Sequence, residues 1–249
     1  MDEKIAISTS DGTFDGFLFR PSIEPAPGLV MIPEIFGINL ALREMARRYA
    51  AEGFLVLALD IFWRLERNVD LGYDEDGFKR AHDLHQVFDY DLGVADVQAG
   101  IEQLRTRPEC SGRVGVVGFC LGGTMAYLAA ARTDTDAAVG YYGTRIHNFL
   151  DDGPKIRRPL ILHLGRLDHR TPPDIMRRIL HAIEGNKSVS PYIYEDAVHA
   201  FANHRRSDTY NEAATKSADS RTFSFFRKEL AGFPVADARR AGAERNTSS

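Results

Sequence analysis

A cysteine between a predicted strand and a predicted helix is the feature that most constrains this chain. Residues 113–117 are apolar enough for a buried strand, and residues 121–131 have the composition of a helix. Gly118-Phe119-Cys120-Leu121-Gly122-Gly123 lies at their junction. Glycine tolerates both the strained dihedral angles of a sharp turn and the close approach of neighbouring backbones. The segment therefore predicts a tight strand–turn–helix with a thiol at its apex.

Cys120 is open to two interpretations at this point. A cysteine in an apolar stretch is most often a small buried hydrophobic residue. A thiol at a helix N-terminus is instead a candidate nucleophile, because the helix dipole and the free N–H groups stabilise a thiolate. The same turn holds the nucleophile of the α/β-hydrolase fold, where serine is the usual residue. The choice depends on whether an acid and a histidine follow in the chain.

Composition and charge exclude several classes of function. The 249 residues carry a net charge of −4, which provides no basic surface for nucleic acid. No apolar run approaches the ~18 residues that span a membrane, and the first residues lack the layout of a secretory signal. Cys110 and Cys120 are expected to be free thiols, which favours a reducing cytoplasm. We expect a cytoplasmic monomer or small homo-oligomer that binds neither nucleic acid nor membrane.

Apolar strand segments alternate with helical patterns along the whole chain. The predicted strands are residues 5–8, 14–20, 28–33, 54–59, 113–117, 137–142, 159–165 and 191–195. The predicted helices lie near 39–52, 77–88, 91–105, 121–131, from 172 onward, and 208–230. Asp11-Gly12 makes the first two strands a hairpin. The other strands predict a single, mostly parallel, doubly wound sheet with helices on both faces, in one α/β-hydrolase domain over residues 1–234. Residues 235–249 are expected to form a mobile tail.

Two polar residues follow predicted strands downstream of the cysteine: Asp168 after one strand and His199 after the last. Ligands of doubly wound sheets bind beyond the carboxyl ends of the strands. The order Cys120, Asp168, His199 is that of an α/β-hydrolase triad. His199 would take the thiol proton and Asp168 would orient the imidazole. Glu195 and Asp196 are alternative acids, although they precede His199 on its own loop.

The loop after the predicted strand 28–33 supplies further candidates. An oxyanion hole needs two backbone N–H groups, which we assign to Leu121 and Ile35. Glu34, at the mouth of a mostly apolar pocket, is either an exposed loop carboxylate or an acid that acts on the thiol. Phe36 is expected to line the pocket.

Aromatic side chains near the predicted strand ends are also assigned to the pocket. Tyr141 and Tyr142 follow a predicted strand and are expected to line the pocket, and Tyr141 and Phe201 are expected to bind substrate, with plain packing as the alternative. His82 and His85 lie three residues apart on a predicted helix, a spacing that can bind metal. No third ligand accompanies them, so we predict neither a metal nor a cofactor.

Five segments together resemble one known family, the dienelactone hydrolases, also called carboxymethylenebutenolidases. They are Pro-Glu-Ile-Phe-Gly at 33–37, Gly-Phe-Cys-Leu-Gly-Gly at 118–123, Ala-Val-Gly-Tyr-Tyr-Gly at 138–143, Leu-Asp-His at 167–169 and Ala-Val-His-Ala-Phe at 197–201. The resemblance covers residues 5–230. It implies hydrolysis of a lactone or small ester through a thioester on Cys120, with Asp168 and His199 completing the triad. It also implies that Glu34 contacts the cysteine and takes its proton when substrate arrives.

The chain departs from the family at two positions. Well-studied bacterial members hold the substrate's carboxylate with two arginines, and the matching residues here are Phe78 and Asn203. Phe78 and Asn203 are therefore assigned to substrate binding without a charge. The cations that could substitute are Lys79, Arg80, Arg145, Arg205 and Arg206. Without such a substitute, neutral lactones or esters should react at least as well as acids.

A different class of function remains compatible with the motifs, namely a thiol-based sensor or ligand-binding protein that keeps the fold without turnover. The combination of Glu34, Asp168 and His199 favours the hydrolase, because a sensor has no use for all three. A serine-protease-like peptidase is disfavoured, since no second domain selects peptides.

Overall fold

The computed structural model describes residues 2–231, and all its named strands belong to one sheet. The strands are β1 (Glu3–Thr9), β2 (Gly12–Phe19), β3 (Ala26–Ile32), β4 (Leu55–Leu59), β5 (Cys110–Phe119), β6 (Ala137–Tyr141), β7 (Leu160–Gly165) and β8 (Val189–Tyr194). The α-helices are α1 (Leu40–Ala51), α2 (Glu75–Gln86), α3 (Tyr90–Arg105), α4 (Leu121–Arg132), α5 (Pro173–Ala182) and α6 (Glu212–Glu229).

The sheet is mostly parallel, as the sequence predicts. Its strand order is β1-β2-β4-β3-β5-β6-β7-β8. The predicted hairpin is confirmed, because β1 and β2 pair antiparallel around the Asp11-Gly12 turn. β2 also pairs antiparallel with β4, and every pair from β4 to β8 is parallel. This topology confirms the α/β-hydrolase fold class.

Helices cover both faces of the sheet. A Cβ added to Gly28 of β3 would lie 3.2 Å from Leu104 of α3. A Cβ added to Gly115 of β5 would lie 2.8 Å from Phe226 of α6. Gly115 is paired with Leu29 of β3, so the two residues face the same side of the sheet. Leu29 directly follows Gly28, and consecutive strand residues point to opposite faces. α3 and α6 therefore pack on opposite sides of the sheet.

Local sequence signals set the helix ends, with one clear difference from the prediction. Asn39 caps α1 as expected, its side chain accepting a hydrogen bond from the Leu42 N–H at 3.2 Å. α6 begins at Glu212 rather than near residue 208, because Asn211 is its N-cap and residues 203–211 form turns.

The predicted tail at 235–249 lies outside the described residues. Within residues 2–231, none of the helices combines the length and apolar character needed to cross a bilayer.

Candidate active site

Cys120 occupies a strained turn between β5 and α4. Its φ is +56° and its ψ is −112°, values that L residues rarely adopt. The turn closes only because its neighbours lack side chains: a Cβ on Gly118 would lie 1.9 Å from the Gly122 carbonyl oxygen, and one on Gly122 would lie 2.3 Å from the Ile32 carbonyl oxygen. The thiol is 6% exposed and borders a cavity. The predicted glycine-flanked elbow is therefore present.

Asp168 and His199 meet beyond the carboxyl ends of β7 and β8. The His199 Nδ1–H donates a hydrogen bond to Asp168 Oδ2 at 2.8 Å, and both side chains are buried. The other carboxylate oxygen, Oδ1, accepts from the Arg170 backbone N–H at 2.7 Å. Asp168 is thus held from two sides, and the Nε2 nitrogen of His199 is left to face Cys120.

The environment of His199 favours its charged form. Burial disfavours a charged imidazole, but the negative charge of the Cys120 thiolate and hydrogen bonds with Asp168 and Cys120 raise the pKa of His199 to about 10. An imidazolium at His199 would therefore stabilise a negative charge that forms on the sulfur of Cys120.

Glu34 is buried beside this pair rather than exposed on its loop. Its Oε2 accepts a hydrogen bond from the Asn203 amide at 2.9 Å, while its Oε1 has no hydrogen-bond partner among the described residues. Desolvation raises the pKa of Glu34, although the charge of His199 and the Asn203 amide act in the opposite direction. A carboxyl group with a raised pKa binds a proton more strongly, which suits it to exchange protons with a thiol.

Three residues assigned to substrate binding lie behind the cavity wall instead. Asn203 is 0% exposed, and its amide holds Glu34 and the Tyr73 hydroxyl at 2.8 Å. The Tyr141 hydroxyl points away and donates to Asp219 at 3.0 Å, and Phe201 is fully buried in the core. None of these three side chains lines the cavity. Their side chains are therefore not placed to contact a substrate in this cavity.

The two N–H groups assigned to the oxyanion hole come from the start of α4 and from the turn after β3. Among residues 2–231, neither the Leu121 N–H nor the Ile35 N–H donates a hydrogen bond to a backbone acceptor. Leu121 is the first residue of α4, where helical N–H groups lack intrahelical partners. Ile35 lies on the turn after β3, next to Glu34, and borders the same cavity as Cys120.

The cavity above Cys120 has a volume of about 370 Å³ and is lined mainly by basic and aromatic side chains. Its lining consists of Glu34, Ile35, Phe36, Phe78, His82, His85, Cys120, Thr144, Arg145, His147, Asn148, His169, Arg170, His199, Ala200 and Arg206. The expected positions of Phe36 and Phe78 on the wall agree with this lining, and their rings make an edge-to-face contact at 5.0 Å.

The histidine pair on α2 belongs to this wall. His85 is buried and its Nε2 lies 2.9 Å from the Tyr90 hydroxyl. Burial and the charge of Arg145 lower the pKa of His85 to about 3, so its ring is neutral at physiological pH. Among residues 2–231, no group of three or more potential metal-ligating side chains comes together, at His82 and His85 or elsewhere.

The five possible replacement cations separate into two groups. Lys79 is exposed and does not line the cavity, while Arg80 pairs with Glu66 and Arg205 pairs with Glu44 on the surface. Arg145 and Arg206 line the cavity. Tyr142, expected from the sequence to line the pocket, packs its ring at 5.2 Å from that of His199 and is not among the residues that line the cavity. It directly follows the end of β6, with a φ of +38°.

A strained strand–turn–helix that carries a thiol at the carboxyl end of a strand of a mostly parallel sheet, with an acid and a histidine after two later strands, is typical of an α/β-hydrolase. The dienelactone hydrolase family model matches residues 14–230. The carboxymethylenebutenolidase of Pseudomonas putida is 35% identical over 227 residues, which cover 90% of this chain and 96% of the relative. Carboxymethylenebutenolidase 1 of Cupriavidus pinatubonensis is 35% identical over 86% of this chain and 92% of its own length. The chain belongs to the dienelactone hydrolase family, and it is a hydrolase.

The fold comparison agrees. The crystal structure of a protein from Klebsiella pneumoniae that carries the name dienelactone hydrolase superposes with a TM-score of 0.81. It is 23% identical, and the match covers 94% of this chain and 99% of that one. At this level of identity the likeness concerns the fold alone.

Proposed function

We propose that this protein hydrolyses a lactone or small ester through a thioester on Cys120. The observation that carries the proposal is the position of the thiol on a strained turn, in the same cavity as the His199 imidazole, whose Nδ1 nitrogen is held by Asp168 at 2.8 Å. The name of the Pseudomonas putida relative supports the same reaction class. Family membership also favours turnover over a sensor that only keeps the fold.

The first half of the reaction forms the thioester. The Cys120 thiolate attacks the carbonyl carbon of the substrate, a C–S bond forms, and the carbonyl oxygen becomes an oxyanion. The N–H groups of Leu121 and Ile35 stabilise that oxyanion. When the tetrahedral intermediate collapses, the C–O bond of the lactone or ester breaks, and the His199 imidazolium gives its Nε2 proton to the leaving oxygen.

The second half returns the enzyme to its starting state. A water molecule attacks the thioester carbonyl while neutral His199 takes one of its protons. The C–S bond then breaks, which releases the carboxylic acid and regenerates the thiolate beside an imidazolium. No cofactor or metal takes part in either half.

Glu34 supplies a second proton acceptor for the thiol. Before substrate binds, the Cys120 thiol keeps its proton. When substrate displaces water from the cavity, the Glu34 carboxylate, whose pKa is raised by burial, takes that proton. Glu34 holds the proton while the thiolate attacks and returns it to the sulfur after the thioester has been hydrolysed.

The experiment that tests this function compares the two cysteines. Cys120→Ala should abolish hydrolysis of a p-nitrophenyl ester and remove any burst of product, while Cys120→Ser should retain only weak activity because a hydroxyl is far less acidic. Cys110→Ala is the matched control, a second free and buried cysteine that does not line the cavity. Full activity in Cys120→Ala would contradict the proposal.

We further propose that residues 1–234 form a single domain and that the protein is cytoplasmic. It would act as a monomer or small homo-oligomer on a small-molecule substrate and would bind no nucleic acid.

A further inference from the structure

Arg145 brings a positive charge to the cavity without an acidic partner. It is half-buried, it lines the cavity, and its Nη1 donates to the His85 carbonyl oxygen at 3.1 Å. Within residues 2–231 its guanidinium forms no ion pair with a carboxylate. A guanidinium has five N–H donors, and this carbonyl accepts from only one of its nitrogens. Most of the hydrogen-bonding capacity of Arg145 is therefore left for a ligand.

The other cavity arginines are committed elsewhere or exposed. Arg206 pairs with Asp208 at 3.0 Å and stacks over the rings of Tyr73 and Phe78 at 5.9 and 5.2 Å. Arg170 is exposed to solvent, and its backbone N–H supports Asp168. Arg145 is therefore the cavity arginine whose charge is both partly desolvated and available.

The residues on either side of Arg145 present unpartnered polar atoms. Thr144 is 6% exposed, and its buried Oγ1 has no hydrogen-bond partner among the described residues. The buried Nδ1 of His147 also lacks one. Both side chains line the cavity, and a buried polar atom left unpaired is costly unless a ligand or water satisfies it. The three residues form one wall of the cavity, which we call the 144–147 wall.

The backbone of this wall is also unusual. Arg145 has a φ of +60°, in the left-handed region where an arginine is disfavoured and a glycine is not. Strained residues of this kind cluster at ligand sites, where the surrounding structure holds them in place. Burial and the charges of Arg178 and Arg145 lower the pKa of His147, which disfavours a second positive charge on the wall beside Arg145.

We propose that the 144–147 wall binds a carboxylate on the substrate, with Arg145 as the anchor and Thr144 as an additional donor. The proposal rests on the lactone or ester hydrolysis proposed above and identifies the residue that selects acidic substrates at that site. A planar guanidinium matches a carboxylate with two parallel hydrogen bonds. This anchor stands at a position different from Phe78 and Asn203. With it, acids should react faster than neutral lactones or esters, contrary to what the sequence predicts when no cation substitutes at those two positions.

Kinetics on a matched substrate pair test the anchor. The pair is an unsaturated lactone with a carboxylate side chain and the same lactone with a primary amide, which has the same shape without the charge. The wild-type protein should prefer the acid by about tenfold to a hundredfold in kcat/KM, the effect of one charge-assisted hydrogen-bonded pair. Arg145→Gln should reduce that preference to less than about threefold, mainly by raising KM for the acid.

Arg205→Gln is the matched control, because it removes the same charge from an arginine that pairs with Glu44 outside the cavity. It should keep the full preference for the acid. An Arg145→Gln variant that keeps the preference, or a wild-type protein that shows none, would overturn the anchor.

A binding measurement separates this proposal from the proposed reaction. Calorimetric titration of the wild-type protein with benzoate, benzamide and benzenesulfonate should show benzoate as the tightest ligand, and Arg145→Gln should bind benzoate no better than benzamide. If this holds while no lactone or ester is turned over, the anchor stands and the proposed reaction fails. If lactones are hydrolysed but benzoate binds no better than benzamide, the reaction stands and the anchor fails. Equal binding of the sulfonate would contradict the choice of carboxylate.

Discussion

Asp168 and His199, 31 residues apart in the sequence, join their side chains through one buried hydrogen bond of 2.8 Å. The bond fixes the tautomer and the orientation of the imidazole, because a carboxylate accepts only from the protonated Nδ1. The Nε2 nitrogen is thereby directed to Cys120. The whole proposed mechanism depends on this one orientation.

Replacing Asp168 by asparagine should therefore lower kcat by about 10²–10⁴-fold, because an amide can hold the imidazole in the wrong tautomer. KM should change little, since the side chain does not line the cavity. Steady-state kinetics on a p-nitrophenyl ester provide the measurement. Asp196→Asn is the control, an exposed carboxylate on the His199 loop that was the alternative acid. A larger loss in Asp196→Asn than in Asp168→Asn would refute the assignment.

Glu34→Gln should reduce kcat by about 10- to 100-fold if Glu34 accepts the proton of the thiol. The amide keeps the size of the side chain and removes its acid–base capacity. The rate at which iodoacetamide labels Cys120 should change in the same variant, because the proton shared with Glu34 is lost. Glu44→Gln, on an exposed ion pair with Arg205, should leave both rates unchanged. If Glu34→Gln leaves turnover and labelling at the wild-type level, His199 alone activates the thiol.

Two buried neutral histidines should make the fold sensitive to acid. Burial lowers the pKa of His163 to about 3, and its nitrogens lie 3.0 Å from Thr222 Oγ1 and 2.9 Å from the Tyr194 hydroxyl. His85 has a similarly lowered pKa of about 3. Both histidines titrate near 6.5 in the unfolded chain, which therefore binds more protons than the folded chain between pH 6.5 and 3. The free energy of unfolding should fall as the pH drops through this window, by about 1.4 kcal/mol per unit for each histidine.

Denaturant unfolding at pH 7 and pH 5 measures this effect. His163→Gln should lose about 2 kcal/mol less than the wild type between the two conditions, since one of the two histidines no longer contributes. His181→Gln is the control, because His181 is exposed. The same pH dependence in wild type and His163→Gln would show that His163 is not the acid-sensitive group.

The triad could be predicted because it depends on strand ends, which the sequence marks clearly. Continuous apolar runs identify β5, β7 and β8, and parallel strands bring their carboxyl ends to one edge. The residues that follow them, Cys120, Asp168 and His199, must then lie near one another. Glycines at 118, 122 and 123 added the close backbone contacts of the elbow.

The pocket wall could not be predicted in the same way, because the direction of a loop side chain depends on individual backbone angles. Ala200 and Tyr142 both have positive φ values, which turn the chain after β8 and β6 in directions that sequence periodicity does not encode. Asn203 consequently holds Glu34 from behind instead of facing the substrate. Arg145 was one of five candidate cations, and only its place on the cavity wall distinguishes it from the surface arginines.

Mass spectrometry of the protein during turnover tests the central claim most directly. Turnover of an ester should be quenched with acid within the first enzyme cycle, and the protein should then be digested and its peptides fragmented. The account predicts one added acyl group, located on Cys120, that is absent from Cys110 and that disappears when substrate is exhausted. An acyl group on any other residue, or steady turnover with no adduct on Cys120, would contradict the account.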